Sequence, residues 1–219
     1  MEMNLTLISP EFFELEDDAI ADCANNLADA FARSEADGGE PLRNLIPLLT
    51  HQDERFVALG VWVASEVADG ERGREFFEEV VALLSHENAS IRFEALACAS
   101  LLVKPNESHV MSRLVELLID PNKAVRSRML RYACLIPDAV IESLYKTEHA
   151  SRARTLLEGV EQAALLDLAA SDEWLDQRIA VAGAMRNFGE NAEFLEKISR
   201  HFDKEVSEFY TTLPCRKKV

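Results

Sequence analysis

The chain has 219 residues, is 48% hydrophobic and contains only 8 glycines and 7 prolines, a composition that favours helix and fits one domain or a short repeat array. Its formal net charge of −16 at pH 7 opposes binding to nucleic acid and to anionic membranes, because both are negatively charged, and favours basic partners. No apolar run approaches the roughly 18 residues of a membrane-spanning helix, and the acidic N-terminus lacks the regions of a secretory signal, so we expect a cytoplasmic protein.

The first predicted element is a helix over about residues 16–35. Apolar residues recur there at spacings of three and four, which places them on one helix face: Ala19, Ile20, Cys23, Ala24, Leu27, Ala30 and Phe31. Glu16, Asp17 and Asp18 suit its N-terminal end, because the helix dipole is positive there. The segment ADGGEP at 36–41 then breaks the helix.

One pattern occurs three times between residues 45 and 135. Its copies begin at residues 45, 80 and 114, which are 35 and 34 residues apart, and a fixed period of this size is typical of stacked helical repeats. The copies read LIPLLTHQDERFVALGVWVA, VVALLSHENASIRFEALACA and LVELLIDPNKAVRSRMLRYA. Each predicts two helices joined by a short polar turn: Leu42–Thr50 and Arg55–Val67, Phe76–Ser85 and Ile91–Val103, Val110–Ile119 and Lys123–Leu135.

Further helix pairs complete the chain. A fourth copy with a turn one residue shorter lies at 165–185, a shortened pair must fill 137–160, and a last pair is predicted at Ala192–His201 and Lys204–Thr212. We predict one domain over 1–219, in which terminal units differ from the repeats because each would otherwise expose an apolar face. Its parts are an acidic N-terminal cap helix (1–41), the repeats (42–189) and C-terminal cap helices with a basic tail (190–219).

The second and third copies resemble HEAT-like repeats, which are of the armadillo type. In that family the first helix ends in a Leu-Leu pair, a turn containing Asp follows, and an Arg lies early in the second helix. Asp120 and Arg126 match the turn Asp and the helix Arg. The other copies differ from this Asp–Arg pair at one or both positions. The second copy has His86 and Arg92, the first has His51 and Val57, and the fourth has Ser171 and Asp176. The resemblance implies an all-α fold, a short α–α superhelix with atypical capping helices.

No motif predicts catalysis or the binding of a cofactor or metal. The five histidines lack the spacing of a zinc helix, and no glycine-rich phosphate loop or nucleophile elbow occurs. His51 and His86 share one register in adjacent turns, and we interpret them as turn residues. The cysteines lack metal-ligand spacing, and Cys98 and Cys134 are expected to be buried in apolar helices.

The resemblance also implies that the second helix of each pair lines the concave side. Outward positions of these helices carry aromatic and charged residues, the mixture found at protein interfaces. The predicted partner-binding residues are Trp62, Phe93, Glu94, Arg128, Arg131, Trp174 and Arg178. The alternative for the two tryptophans is that they pack against neighbouring repeats.

The basic residues concentrate in one part of the chain: Arg126, Arg128, Arg131, Arg152 and Arg154. We expect them to pair with the acidic flanks of the chain or with an acidic loop of a partner. Some bacterial proteins with HEAT-like helices excise damaged bases from DNA, but that activity needs a broadly basic surface. Residues 104–160 hold seven acids and nine bases, a net of only +2.

We therefore interpret the chain as a monomeric, non-enzymatic protein-binding module. The most specific hypothesis is a bacterial immunity or inhibitor protein that neutralises a basic, nuclease-like toxin, because an acidic surface steers a basic partner towards it. A general adaptor or assembly scaffold is an alternative in the same class. A DNA-repair or lyase-type enzyme built on the same repeats is the alternative in another class.

Overall fold

The computed structural model describes residues 17–33, 41–157, 161–189, 191–201 and 204–207. All regular structure in these ranges is helical. None of the described helices is long and apolar enough to cross a lipid bilayer. Contacts within the chain divide it into two compact units, Met1–Leu102 and Val103–Val219.

The first unit contains one N-terminal helix and two helix pairs, as predicted. Its helices are α1 (Asp17–Ala32), α2 (Ile46–Leu49), α3 (Glu54–Val67), α4 (Phe77–Leu83) and α5 (Ala89–Leu102). Short 3-10 helices, Leu42–Leu45 and Arg72–Phe76, lead into α2 and α4. Pro47 lies in the first turn of α2, where its missing N–H group leaves no helical hydrogen bond unmade.

The helix α3 is the centre of the first unit, because it packs against α1, α2 and α5. The apolar face predicted for α1 is buried at Ile20, Leu27, Ala30 and Phe31. α2 and α3 approach closely at Gly60, where an added Cβ would lie 2.7 Å from the Cβ of Leu48. Carbon atoms in contact prefer separations of roughly 3.5–4.0 Å, so this crossing requires glycine.

The second unit contains three further helix pairs and a terminal helix. The pairs are α6 (Ser108–Glu116) with α7 (Lys123–Ala133), α8 (Asp138–Ile141) with α9 (Ala150–Leu157), and α10 (Gln162–Ala169) with α11 (Trp174–Phe188). A 3-10 helix extends α6 over Leu117–Ile119, and another extends α8 over Glu142–Lys146. The terminal helix is α12 (Ala192–Ser199). The shortened pair predicted at 137–160 is therefore present as α8 and α9.

Residues 204–207 are also helical. The remainder of the helix predicted at Lys204–Thr212, together with the basic tail, lies outside the described residues. α11 packs against α9 and α10, and it approaches the backbone of α9 closely at Gly183. A Cβ there would lie 2.6 Å from the Thr155 carbonyl oxygen.

The turns within the helix pairs share one hydrogen bond. In each, a side chain at the start of the turn accepts the backbone N–H of the residue two positions later, as Asx and ST turns do. The acceptor and donor pairs are His51 Nδ1 with Asp53 (3.0 Å), His86 Nδ1 with Asn88 (3.0 Å), Asp120 Oδ1 with Asn122 (2.7 Å), Thr147 Oγ1 with His149 (3.1 Å) and Ser171 Oγ with Glu173 (3.1 Å). Histidine replaces aspartate at two of these places because its Nδ1 lone pair accepts the same bond, so His51 and His86 are turn residues.

Three of these turns contain a second hydrogen bond. The side chain of the residue six positions after the first turn residue donates it to the backbone carbonyl of that first residue. Arg92 Nη1 donates to the carbonyl of His86 at 2.7 Å, and Arg126 Nη1 donates to that of Asp120 at 2.5 Å. In the fourth copy the donor is Gln177, whose Nε2 is 2.5 Å from the Ser171 carbonyl oxygen. The comparison of the four copies predicted Asp176 at this position, which is wrong by one residue. The fourth copy had been aligned by its apolar residues, and these do not fix the length of the turn.

The two cysteines predicted to be buried differ. Cys98 is fully buried, and burial raises the pKa of its thiol to about 12. Cys134, which follows the last residue of α7, is only half-buried. The prediction is therefore confirmed for Cys98 and wrong for Cys134, because the helix ends before Cys134.

Candidate functional site

The predicted binding residues of the first unit lie on two helices that pack together. Trp62 is on α3, whereas Phe93 and Glu94 are on α5, and all three are half-buried. The Ser65 hydroxyl lies 2.8 Å from the Trp62 carbonyl oxygen and 3.4 Å from Glu94 Oε2. This hydroxyl therefore places the Glu94 carboxylate beside the helical turn that carries Trp62. We call the surface formed by Trp62, Ser65, Phe93 and Glu94 the α3–α5 face.

Acidic side chains dominate the exposed surface of residues 41–102. This segment holds ten acidic residues and five arginines, with no lysine. The exposed acidic residues are Glu54, Glu66, Asp69, Glu71, Glu75, Glu78 and Glu87. The segment therefore presents a strongly negative surface.

Each of the five arginines makes a contact within the first unit. Arg55 pairs with Asp53 at 2.6 Å, and its hydrogen bonds lower the pKa of Asp53 to about 2. Three others donate to backbone carbonyls at the following separations: Arg72 to Phe31 (3.2 Å), Arg74 to Leu102 (3.2 Å) and Arg92 to His86 (2.7 Å). Arg43 lies 4.0 Å from Glu75. Three of the five arginines therefore bind backbone carbonyls, and the acidic residues of the segment outnumber its basic residues by ten to five.

The second unit places its predicted residues differently. Trp174 is 59% exposed, Arg131 is exposed and Arg128 is half-buried. More than half of the Trp174 surface therefore faces solvent. The outward placement predicted for Arg178 is wrong, because this side chain is only 1% exposed.

A carboxylate from the C-terminal segment compensates the buried Arg178. Glu205 Oε1 lies 3.6 Å from Arg178 Nη2 and 2.9 Å from Arg126 Nε, and Arg126 Nη2 contacts the other oxygen. The Arg126 hydrogen bond, supported by the charges of both arginines, lowers the pKa of Glu205. On its other side, the Arg178 guanidinium lies 5.3 Å from the centre of the Trp174 ring, within the range of a cation–π contact.

The basic concentration of the sequence is partly neutralised inside the second unit. Arg126 pairs with Glu205, and Arg152 pairs with Asp176 at 3.1 Å. Both acids come from the C-terminal flank, as expected for these two arginines. Glu205 and Ser65 were not predicted as site residues. The sequence contains one sign of a role for Ser65, which is that it lies three residues after Trp62 on the same helix.

No family model and no curated protein sequence matches the chain. Solved structures do match it, among them the following two. An engineered protein gives a TM-score of 0.51 at 17% identity and covers 90% of this chain and 89% of its own. A designed armadillo repeat protein, solved in complex with the peptide (KR)4, gives a TM-score of 0.50 at 19% identity and covers 94% and 93%. At these identities the likeness shows the fold alone, and it confirms the all-α helical-repeat fold of the armadillo and HEAT-like type.

Proposed function

We propose that the chain is a non-enzymatic protein-binding module that takes a basic segment of another protein on its α3–α5 face. One observation carries this proposal: the arginines of residues 41–102 make internal contacts, whereas seven acidic residues of that segment are exposed. A negative field of this kind accelerates association with a positively charged partner and opposes acidic ones.

The α3–α5 face offers both kinds of contact that a Lys or Arg side chain needs. The Glu94 carboxylate can pair with the cationic group. The rings of Trp62 and Phe93 can take the aliphatic stem or the cation itself, an interaction of about 0.5–2 kcal/mol. The designed armadillo repeat protein that shares this fold was solved with a peptide of alternating Lys and Arg, which supports an extended basic segment as the ligand.

Within this class, the finer proposal is an immunity or inhibitor protein directed at a basic, nuclease-like toxin. Proteins that bind nucleic acid carry basic surfaces that neutralise phosphates. An acidic face can occupy such a surface and exclude the nucleic acid. The net charge of −16 supports this role, because it favours fast capture of a cationic partner.

The two tryptophans provide a direct test of the binding module, since Trp62 lies in the first unit and Trp174 in the second. The variant Trp174→Phe leaves Trp62 as the only tryptophan. Titration with the (KR)4 peptide should change its emission to saturation, and an acidic peptide of equal length should not. The matched variant Trp62→Phe should show no saturable change in Trp174 emission. An equal response to the acidic peptide, or a response from Trp174 alone, would contradict the proposal.

The inhibitor role needs a separate measurement. The partner captured from the native host should be basic, and its nuclease activity should fall as the purified chain is added in stoichiometric amounts. A neutral or acidic partner would contradict the inhibitor role and would favour a general adaptor or scaffold.

A further inference from the structure

Three potential metal ligands meet in the second unit, apart from the α3–α5 face. One donor atom from each of Glu116, Glu148 and His149 lies within 4.8 Å of the others. Glu116 is the last residue of α6, and His149 directly precedes α9. Neighbouring helix pairs therefore bring together residues whose sequence spacing matches no metal motif.

His149 anchors this cluster. Its side chain is 5% exposed, and its Nε2 atom is buried without a hydrogen-bond partner among the described residues. Nε2 faces Glu148, with Oε1 at 3.8 Å, which is too far for a hydrogen bond. Buried polar atoms almost always have a partner, so this imidazole nitrogen beside two carboxylates is a candidate position for a bound ligand.

We propose that Glu116, Glu148 and His149 bind a divalent transition-metal ion, with Zn²⁺ as the best fit. Imidazole nitrogen and carboxylate oxygen are both ligands of Zn²⁺, and water can complete the tetrahedral coordination of a site with three protein ligands. Metal–ligand distances there are about 2.0–2.2 Å, so the carboxylates must close around the ion. The Glu148 side chain is 74% exposed, which leaves room for it to turn towards the ion, whereas the His149 side chain is only 5% exposed.

Arg152 competes with the metal through the other nitrogen of the ring. Its Nη1 lies 2.9 Å from His149 Nδ1, and a guanidinium only donates, so Nδ1 is the acceptor and Nε2 carries the ring proton. A metal on Nε2 requires that proton to leave to solvent and Nδ1 to take one up. Arg152 Nη1 must then withdraw, because two donors cannot face each other. Its Nε keeps Asp176 Oδ1 as a partner at 3.1 Å.

The electrostatic surroundings favour a neutral imidazole that is ready to coordinate. Burial, and then the charge of Arg152, lower the pKa of His149, while the charges of Glu148 and Glu116 raise it by less.

The test is a calorimetric titration of the full chain, freed of metal by a chelator and without a histidine tag. Zn²⁺ should bind at one ion per chain, and Mg²⁺ should not compete, because an imidazole ligand disfavours it. His149→Gln should weaken Zn²⁺ binding by at least about tenfold. Arg152→Gln should tighten it, because the competing donor is gone. The control His109→Gln changes an exposed histidine of the same unit and should have no effect.

Three results would overturn the proposal: no Zn²⁺ binding, equal binding of Mg²⁺, or unchanged Zn²⁺ affinity in His149→Gln. Circular dichroism establishes whether the buried substitution disturbs folding. If it does, the double variant Glu116→Gln/Glu148→Gln changes two exposed side chains and should abolish Zn²⁺ binding while the helical signal is retained. Retained binding in that variant would overturn the proposal as well.

Discussion

Arg178 and Glu205 form an ion pair in which the guanidinium is 1% exposed and the carboxylate 19% exposed, with 3.6 Å between Nη2 and Oε1. The cation belongs to α11, and the anion belongs to the C-terminal segment 204–207. Arg126 on α7 binds the same carboxylate. Glu205 therefore ties the end of the described chain to two second helices.

Removal of this carboxylate should destabilise the second unit. Glu205→Gln leaves Arg178 buried without its counter-ion, and the loss of one partner of a buried pair reduces the free energy of unfolding by about 3 kcal/mol. Urea denaturation followed by circular dichroism measures the difference. The control is Glu196→Gln, which breaks an exposed pair with Arg200 (3.6 Å, side chains 70% and 73% exposed) and should change stability by less than about 0.5 kcal/mol. Equal effects of the two substitutions would contradict the assigned role of Glu205.

The same contact predicts a pH dependence. The pKa of Glu205 is lowered in the folded chain, mainly by the Arg126 hydrogen bond, from an ordinary value of 4.5. Its stabilising contribution is therefore fully present above that ordinary value and is lost as the pH falls through the lowered pKa. Stability measured across this acidic range should fall less steeply in Glu205→Gln than in the native chain. Parallel curves would show that Glu205 does not carry this dependence.

The turn hydrogen bonds predict which substitutions of His86 are tolerated. His86→Asp should preserve stability, because an aspartate oxygen accepts the same bond in the turn at Asp120. His86→Ala removes the acceptor for the Asn88 N–H group and should lower the free energy of unfolding by about 0.5–1.5 kcal/mol. Thermal denaturation compares these variants with His109→Ala, in which an exposed histidine outside the turns is removed. If alanine and aspartate at position 86 behave alike, the imidazole is not the acceptor that holds this turn.

Gly183→Ala sets two opposite effects against each other. Helix propensity alone predicts a gain of roughly 0.5–1 kcal/mol. The new Cβ would lie 2.6 Å from the Thr155 carbonyl oxygen, and overpacking against backbone typically destabilises by about 1–3 kcal/mol. We therefore expect a lower melting temperature than for the native chain. A higher one would mean that α9 and α11 are not in such close contact.

Most of the helix pairs follow from the sequence, because apolar residues at helical spacing fix each buried face. The matching pair Asp120 and Arg126 also indicated the repeat type correctly. The comparison of the copies was wrong at Asp176, because the spacing of apolar residues does not indicate which side chain donates a hydrogen bond to the turn. Four of the first helices carry a 3-10 segment, before α2 and α4 and after α6 and α8, and periodicity does not distinguish these segments from α-helix.

The candidate site was less predictable, for two physical reasons. An arginine within a helix is normally exposed, and the burial of Arg178 depends on Glu205, which is 27 residues further along the chain. The cluster around His149 depends on which helix ends become neighbours, and the sequence spacing of Glu116 and His149 contains no such information. In contrast, Trp62 and Glu94 were both assigned to outward positions of the second helices in adjacent copies, so the sequence placed them on neighbouring helices.

Charge at the α3–α5 face should control the rate of partner binding. Glu94→Gln removes one negative charge next to Trp62 and should slow association with a basic peptide while weakening the complex. Glu193→Gln also removes one negative charge, from an exposed position in the second unit, and is the matched control. Stopped-flow fluorescence in the Trp174→Phe background resolves both rates. An equal effect of the two substitutions would place the binding surface elsewhere.

The most direct test of a basic ligand on this face is the salt dependence of (KR)4 binding, followed by Trp62 emission in Trp174→Phe. The account predicts saturable binding whose association rate falls steeply between low and physiological ionic strength, because the acidic surface steers the peptide. Absence of binding at low salt, or a rate that does not change with salt, would contradict it.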